Sequence, residues 1–555
     1  MMCQELLRVV KERWVLICGL YFVALCTAFV FTRTIIGDES QLLHVGKAVY
    51  SGARLYRDAW FNQMPIGPYL YGAVQFVLGP SFYLGRFTSV ALSVINFVLC
   101  VKTARTIAGP WGGKVAATLF AFNWVLANYY AAAYSPAMTG LLVTAAAYFL
   151  FKGDSLGCRL AALLCADLAV CTRALVFPIT AAVNFYVLWA RRDGRSLVLA
   201  VALFIPALFY LGFIHGQADH FLFANLYSNK QVVALPAQDQ TDLDRSVASL
   251  PGPGRMLIKK MADTALRRND FVDLIQYFPI AVLSVPLAFA WYWRRREADT
   301  GGTRWRDLPR YAPFLALSAG LAGFVVATIL IVSYLLPGGV PNYQTPGYPL
   351  YIILCVYAYQ AIVTTTPRIQ AELRALVGVT VALAAFTYGV PNLAYASGVL
   401  NIPGKGLTLP LHAVKEVAVF IRDRSDPEDE ILTDRPWFVY EAGRRPHLGF
   451  WMTWYSYAPR WSTALSEHYH VVNPEMIRKA IETRAPKFVI RYVDQNNESD
   501  PITFAAKHSD DPQGMARLFE ERYERIAVFL GAGKHGDGAV IYQRRSDPQF
   551  GTSPA

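Results

Sequence analysis

Residues 14–40 read WVLICGLYFVALCTAFVFTRTIIGDES, an apolar run followed within a few residues by the carboxylates of Asp38 and Glu39. A helix needs about 20 apolar residues to cross the hydrocarbon core of a bilayer, so this run is long enough to span it. A basic stretch, residues 8–13, precedes the run. The run is too long for the apolar region of a signal peptide and lacks a clear small-residue cleavage site, and we therefore interpret it as an uncleaved first membrane span.

The composition of the whole chain is typical of a membrane protein. Of its 555 residues, 54% are hydrophobic and 17% are charged, whereas soluble domains carry about 25% charged residues. This excludes an ordinary soluble enzyme and a disordered protein. The net charge of +12 comes from segments that flank apolar runs, without a basic patch interleaved with aromatic residues. No nucleic-acid partner is therefore expected.

Cysteine and histidine residues show no metal-site pattern in the sequence. The eight cysteines lie in or beside apolar runs and form no C-x-x-C motif, which favours neither a disulfide framework nor a zinc site. His215 and His220 do not form an i, i+4 pair. We therefore assign no metal-ligating residues from the sequence.

About eleven apolar stretches are predicted as membrane-spanning helices. They are residues 14–33, 83–101, 114–131, 135–151, 159–172, 174–190, 196–214, 271–293, 311–335, 347–364 and 374–396. The fifth and sixth are short and meet at Thr172-Arg173, so this pair also fits one long or re-entrant element. Basic residues concentrate in the connections after even-numbered spans, including the predicted loop at residues 102–114, and the positive-inside rule places these connections and the N-terminus in the cytoplasm.

The same topology places residues 34–82, 215–270 and 400–555 outside the cytoplasm. We predict a membrane core over residues 1–399 and an external soluble domain over residues 400–555. Helices are predicted in this domain at residues 412–422 and 478–483, and strands at residues 430–433, 487–493, 526–530 and 539–543. The predicted fold class is a polytopic α-helical membrane protein with a C-terminal external α/β domain.

The first outer loop contains the residues best suited to catalysis or to binding a ligand. Carboxylates beside a membrane span are costly near lipid, which makes Asp38 and Glu39 a candidate site. The alternative is that Asp38 caps a helix with Gln41 as its reciprocal partner, because acidic residues are common in the first turn of a helix. His44, in the amphipathic stretch that follows, is interpreted as an interfacial helix residue.

These elements resemble the protein mannosyltransferase and aminoarabinose (lipid A) transferase superfamily of C-type glycosyltransferases. The resemblance lies in Asp38-Glu39, in Tyr56-Arg57-Asp58 about twenty residues later, and in the proline-rich turn and Arg86 that follow. The many spans, a basic-proline segment at residues 172–178 and an external C-terminal α/β domain extend it over most of the chain. Relatives often have a double proline where this chain has Pro65-Ile66-Gly67-Pro68.

The resemblance implies an integral membrane enzyme that moves a sugar from a polyprenyl-phosphate donor to a lipid, glycan or protein acceptor, such as a lipopolysaccharide core. It implies that Asp38 is the general base, with inversion at the anomeric carbon. Glu39 would bind sugar or acceptor hydroxyls or help to hold a divalent cation, although no cofactor is obligatory.

The resemblance further implies cations for the donor phosphate and polar residues for the sugar. Arg57, Arg86 and Arg173 are the expected phosphate ligands, because arginine grips phosphate oxygens bidentately. Alternatives remain for two of them: an exposed ion pair of Arg57 with Asp58, and snorkelling of Arg86 to lipid headgroups, although Arg86 at the outer end of a span calls for a partner. The expected substrate-binding residues are Tyr56, Asp58, Asn342, Tyr343 and Gln344. For Tyr343, an interfacial aromatic belt is the simpler account.

Two other functions fit the composition. The chain can be a transporter or a flippase for lipid-linked sugars, although few ionisable residues lie at span centres, with Asp167 as the main exception. It can also be a catalytically silent assembly factor with the same fold. For each of the three, we expect a bacterial inner membrane protein with a cytoplasmic N-terminus and a periplasmic or extracellular C-terminal domain.

Overall fold

A computed structural model describes residues 2–33, 35, 37–190, 194–227, 308–335, 345–365, 410–450, 453–493, 500–509, 511–529 and 538–545. The chain divides into two compact units. The first contains the described residues of Met1–Val30, Phe87–Phe213 and Pro251–Val399, and the second those of Phe31–Arg86, Ile214–Leu250 and Leu400–Ala555. The three stretches predicted to lie outside the cytoplasm thus contribute to one unit.

Helices dominate the described residues. In chain order they are α1 (Met2–Thr32), α2 (Gly37–Tyr50), α3 (Ile66–Leu78), α4 (Phe82–Ala121), α5 (Trp124–Tyr130), α6 (Ser135–Lys152), α7 (Leu156–Val170), α8 (Phe177–Ala190), α9 (Arg195–Phe209), α10 (Ala218–Leu222), α11 (Leu308–Leu335), α12 (Tyr348–Thr365), α13 (Pro410–Arg422), α14 (Pro436–Ala442), α15 (Thr463–His468), α16 (Pro474–Glu482), α17 (Pro501–Lys507) and α18 (Pro512–Arg522). Short 3₁₀ turns lie at Ala174–Val176, Thr345–Gly347, His447–Gly449 and Thr453–Ser456, and π-helical turns at Tyr210–Ile214 and Phe223–Tyr227.

Three helices in the described part of the chain are long and apolar enough to cross a membrane: Glu12–Thr32, Phe82–Ala121 and Leu197–Ile214. Shorter apolar helices occupy Ile66–Leu78, Ala174–Trp189 and Pro313–Val325. The predicted spans at residues 271–293 and 374–396 lie outside the described residues. The count of eleven spans therefore stays a prediction.

The predicted loop at residues 102–114 is shorter than predicted, because most of these residues are helical and only a sharp break within α4 separates two helical segments. The break occurs at Ala108 (φ −127°) and Gly109 (φ 64°), and Pro110 restarts the helix. A Cβ atom on Gly112 would lie 2.6 Å from the carbonyl oxygen of Ala104, so the chain folds back on itself within a few residues. The predicted third span, residues 114–131, is also interrupted, since Asn123 caps a new helix, α5.

The fifth and sixth predicted spans form two separate helices, so the interpretation as one long element is wrong. Helix α7 ends at Val170, and α8 begins at Phe177 after one 3₁₀ turn. The two helices are joined by hydrogen bonds from Thr180 Oγ1 to the Ala166 carbonyl (2.7 Å) and from Asn184 Nδ2 to Asp167 Oδ1 (2.8 Å). Asp167, the ionisable residue expected at a span centre, thus has an amide partner.

Helices α2 and α3 cross at two glycines in the second unit. A Cβ atom on Gly46 would lie 2.8 Å from the Pro68 carbonyl oxygen, and one on Gly72 would lie 2.6 Å from the Gly46 carbonyl oxygen. A side chain at either position would force the backbones apart. This close approach fixes the orientation of α2, which carries the acidic residues.

The C-terminal part of the second unit is an α/β domain with a five-stranded sheet in the order β2-β1-β3-β5-β4. The strands are β1 (Glu430–Leu432), β2 (Arg445–Pro446), β3 (Phe488–Val493), β4 (Tyr523–Phe529) and β5 (Gly538–Arg544). β1 pairs in parallel with β2 and β3, while β5 pairs antiparallel with β3 and β4. The four predicted strands and both predicted helices of this domain coincide with observed elements, and the two-residue strand β2 was not predicted.

Candidate active site

Asp38 and Glu39 lie in the first turn of α2, which begins at Gly37. Carboxylates are stabilised there by the positive end of the helix dipole and by backbone N–H groups that have no partner within the helix. Asp38 is half-buried, whereas Glu39 is fully buried. The capping arrangement with Gln41 is not formed, since neither atom of the Gln41 side-chain amide has a hydrogen-bond partner among the described residues.

Glu39 forms a buried ion pair with Arg86, another of the residues on which the resemblance rests. Both side chains are 0% exposed. Arg86 Nη2 donates to Glu39 Oε2 at 2.8 Å and Arg86 Nε donates to the same oxygen at 3.3 Å, while Nη1 donates to the Arg33 carbonyl at 3.0 Å. The partner that the position of Arg86 called for is therefore Glu39. Whether Arg86 also binds a phosphate stays a prediction.

Two buried polar groups of this turn have unused hydrogen-bonding capacity. Glu39 Oε1 and both amide atoms of Gln41 are buried and have no hydrogen-bond partner in the part of the chain that the structure describes. Leaving a buried polar group unsatisfied costs about 1–3 kcal/mol, so such groups call for an explanation. Asp38 and Gln41 share one helix face by their spacing of three, and the first turn of α2 therefore offers both an acceptor and a donor to a polar ligand.

His44 lies one turn further along α2, and the structure corrects its interpretation as an interfacial residue. Its ring is buried and lies 6.0 Å from the ring of Tyr440. Burial, with a smaller contribution from Lys47, lowers the pKa of His44 to about 3, so the imidazole is neutral at physiological pH. Nothing in the sequence near His44 indicated this burial, because it depends on a helix almost four hundred residues away.

Helix α14 of the α/β domain packs on this region through its own polar contacts. Tyr440 donates its hydroxyl to Gln75 Oε1 at 2.7 Å, and Gln75 Nε2 donates to the Leu43 carbonyl at 3.2 Å. Glu441 accepts a hydrogen bond from the Phe82 N–H at 2.9 Å. These bonds join α14 to α3 and to the start of α4, and they join α3 to the middle of α2.

Tyr56, Arg57 and Asp58 lie in the loop between α2 and α3, and their side-chain hydrogen bonds and ion pair described here are with residues of the same loop. Tyr56 is buried with a positive φ of 70°, and its hydroxyl donates to the Gln63 carbonyl at 2.8 Å. Arg57 Nε lies 3.8 Å from Asp58 Oδ1, and both side chains are about half exposed. Asp58 also accepts a hydrogen bond from the Arg54 N–H at 2.9 Å. The exposed Arg57–Asp58 pair considered from the sequence is thus present, and a role for these residues in binding substrate stays a prediction.

Arg173 belongs to the first unit and is buried just before the 3₁₀ turn at Ala174–Val176. Its Nη2 donates to the Tyr134 hydroxyl at 3.4 Å, and its guanidinium carbon lies 5.3 Å from the centre of the Tyr134 ring. The neighbouring Thr172 hydroxyl lies 2.7 Å from that of Thr139. The region around Arg173 is therefore polar and aromatic, and its part in binding phosphate stays a prediction.

Asn342, Tyr343 and Gln344 lie outside the described residues. The described chain resumes at Thr345, which is buried and accepts a hydrogen bond from the Tyr130 hydroxyl at 3.1 Å. The expectation that the three residues bind sugar therefore stays a prediction.

No protein-family model matches the chain, and no curated protein matches its sequence. Solved structures do match it. ArnT from Cupriavidus metallidurans bound to undecaprenyl phosphate aligns with 95% of this chain and 98% of its own, with a TM-score of 0.53 and 12% identity. The apo state of the same protein aligns with 96% of this chain and 98% of its own, with a TM-score of 0.51 and 12% identity.

An oligosaccharyltransferase from Archaeoglobus fulgidus aligns with 97% of this chain and 74% of its own, with a TM-score of 0.48 and 13% identity. The alignments with ArnT cover nearly all of both chains, whereas the sequence identity is low. The likeness is therefore one of fold, and the chain shares the fold of ArnT, an aminoarabinose transferase.

Proposed function

We propose that the chain is a membrane glycosyltransferase that uses a polyprenyl-phosphate sugar as its donor. The observation that carries the proposal is the acidic first turn of α2, anchored by a fully buried Glu39–Arg86 pair, in a chain with the fold of ArnT. The ArnT structure with undecaprenyl phosphate supports a lipid phosphate as the donor's carrier. The long apolar helices fit a protein that meets such a lipid within the bilayer.

In the proposed reaction, Asp38 is the general base. Its carboxylate takes the proton of the acceptor hydroxyl while the hydroxyl oxygen attacks the anomeric carbon of the donor. The bond from that carbon to the phosphate oxygen breaks, so the electron pair leaves with polyprenyl phosphate and the anomeric configuration inverts. No cofactor is obligatory for this step, because the phosphate is already a good leaving group, and a divalent cation held with the help of Glu39 is compatible with it. A half-buried carboxylate in a helical first turn is available for this role and has a fixed position.

Glu39 and Arg86 have distinct parts in this proposal. Glu39 Oε2 is occupied by Arg86, which leaves Oε1 to accept a hydrogen bond from a hydroxyl of the sugar or acceptor. Arg86 is then a positioning residue that holds Glu39 in place. Beside this positioning role of Arg86, we propose Arg57, Arg86 and Arg173 as ligands for the phosphate. Contacts with the sugar are proposed for Tyr56, Asp58, Asn342, Tyr343 and Gln344.

The acceptor is a lipid, glycan or protein outside the cytoplasm, and lipopolysaccharide is one candidate in a bacterial envelope. This follows from the charge topology, which predicts a cytoplasmic N-terminus and places the acidic turn on the outer side of an inner membrane. Single cysteines introduced at Asp58 and Asp423 should both react with an impermeant maleimide in intact spheroplasts. Labelling only after lysis would contradict this orientation.

The function is tested by reconstituting the purified chain in vesicles with a panel of undecaprenyl-phosphate pentoses and hexoses and an envelope lipid extract. The proposal predicts that the wild-type chain releases undecaprenyl phosphate from at least one donor and transfers its sugar to a product. An Asp38→Asn variant of equal melting temperature should release it about 10²–10⁴-fold more slowly. Movement of intact donor across the bilayer without transfer would overturn the proposal and favour a flippase.

A further inference from the structure

Three potential metal ligands from two distant parts of the sequence meet in the second unit. Asp219 and His220 lie on α10, and His468 is the last residue of α15. The ligand atoms of these three side chains all lie within 4.8 Å of one another. None of the three belongs to the acidic turn of α2, and the proposed glycosyl transfer does not use them.

The distances resemble those between ligands of a small tetrahedral ion. Asp219 Oδ1 lies 3.1 Å from His220 Nδ1, and Asp219 Oδ2 lies 3.1 Å from His468 Nε2. Zinc bonds to imidazole nitrogen and carboxylate oxygen are about 2.0–2.2 Å long, so two ligands of a tetrahedral zinc ion are separated by about 3.4 Å. A small adjustment of the side chains would therefore be enough to bring these three ligands into that geometry.

The hydrogen bonds of His220 direct its second ring nitrogen toward the Asp219 carboxylate. His220 Nε2 lies 2.9 Å from the His468 carbonyl oxygen, which can only accept a hydrogen bond. With the proton on Nε2, Nδ1 of the neutral ring carries a lone pair and lies 3.1 Å from Asp219 Oδ1. An imidazole lone pair beside carboxylate oxygens is the kind of donor set that binds a metal cation.

We propose that Asp219, His220 and His468 bind one zinc ion, which fastens α10 to the α/β domain. Two imidazole nitrogens and one carboxylate oxygen form a donor set that suits zinc, and water supplies the fourth ligand. The bond from His220 Nε2 to the His468 carbonyl orients the ring, as the outer hydrogen bonds of metal-bound histidines commonly do. The side chains of Asp219 and His468 are both 50% exposed, so an ion can enter from solvent.

The surroundings fit a structural role for the ion. Phe223, which follows α10, lies with its ring centre 4.3 Å from that of Tyr469, next to His468. His470 contacts the Arg57 carbonyl, and its ring centre lies 6.2 Å from that of His220. The ion would therefore tie together the segment around α10, the end of α15 and, through His470, the loop that contains Arg57.

The test is zinc binding by the full-length chain, purified without a polyhistidine tag and stripped with a chelator. Calorimetric titration with zinc chloride should show one site with a dissociation constant below about 1 µM, and zinc should raise the melting temperature. Asp219→Asn and His468→Gln should each weaken binding at least 100-fold. The matched control is His412→Ala, since His412 is an exposed histidine paired with Glu416, and this variant should bind zinc like the wild type.

Zinc X-ray absorption of the wild-type chain identifies the ligands without relying on a variant. It should show two imidazole nitrogens in the first shell. The proposal is overturned if the wild type binds no zinc at 10 µM, if its zinc shell contains no imidazole, or if His468→Gln and Asp219→Asn retain full affinity. A zinc shell without imidazole, or full affinity in the two variants, would indicate that zinc adsorbs elsewhere on the chain. The absence of zinc binding would indicate that the cluster holds an imidazolium rather than a metal ion.

Discussion

Glu39 and Asp434 are both fully buried carboxylates of the second unit, but their surroundings differ. Glu39 receives two hydrogen bonds from the guanidinium of Arg86, itself fully buried. Neither carboxylate oxygen of Asp434 has a hydrogen-bond partner within the described part of the chain, and Arg435 Nε lies 3.6 Å away. Burial, against a smaller opposing effect of Arg435, raises the pKa of Asp434 to about 7.

The difference shows two ways of burying an acid. At the first turn of α2, the carboxylate of Glu39 is paired with the guanidinium of Arg86, so the pair has no net charge and its geometry is fixed. After strand β1, the carboxyl group itself tends to become neutral by taking up a proton. The first arrangement keeps a charged and ordered group beside Asp38.

The largest expected effect follows from replacing Arg86, the cation that is paired with Glu39. Arg86→Met leaves Glu39 buried without its partner, which should destabilise the protein by about 3–5 kcal/mol. Adding Glu39→Met should recover most of this loss, because no unpaired charge then remains. Thermal unfolding of the detergent-solubilised chain measures both effects.

Arg422→Met is the matched control, because Arg422 is more than half exposed beside Asp423. Exposed pairs contribute at most about 1 kcal/mol, so this variant should unfold close to the wild type. If Arg86→Met were as stable as Arg422→Met, the pair with Glu39 would not anchor the turn.

The second effect concerns Asp434 and depends on pH. The folded state raises the pKa of this carboxyl group, so it binds more protons than the unfolded state, and stability falls as pH rises from about 4 to about 7. Asp434→Asn removes this loss and should stabilise the chain at pH 8 by roughly 2–4 kcal/mol. Melting temperatures of both chains at pH 5 and pH 8 test this, and an equal difference at the two pH values would contradict it.

The smallest of the three effects has the opposite pH dependence. The pKa of His44 is lowered to about 3 in the folded state, so the unfolded state binds the proton more readily and stability falls as pH drops below 6.5. The loss due to His44 should reach about 2 kcal/mol at pH 5. Relative to the wild type, His44→Gln should gain about 2 kcal/mol of stability as the pH falls from 7 to 5. A parallel pH profile for the variant would show that His44 is not the group responsible.

The sequence predicted local features better than contacts between distant residues. The strands of the α/β domain were predicted because β-branched runs mark them directly. The reversal within residues 102–114 was predicted as a basic loop, but its confinement to Ala108 and Gly109 between two helical segments was not. Arg86 was recognised as needing a partner. That this partner is Glu39, 47 residues earlier in the chain, could not be derived without the contact between the first turn of α2 and the start of α4.

The proposed zinc ligands show even more clearly that contacts between distant residues could not be predicted from the sequence. His220 was set aside for lack of a local metal pattern, and its partner His468 lies 248 residues further along the chain. Neither residue has an unusual neighbour in the sequence. Only the folded second unit brings Asp219, His220 and His468 together.

The most direct test of the glycosyltransferase account is the single-turnover rate of sugar transfer by Asp38→Asn at saturating donor. Asp423→Asn serves as the control, because Asp423 is exposed and far from α2 in sequence. The account predicts that Asp38→Asn lowers the rate about 10²–10⁴-fold, as expected for loss of a general base, while its melting temperature and donor affinity stay near those of the control. A rate equal to that of Asp423→Asn would contradict the assignment of Asp38 and, with it, the proposed mechanism.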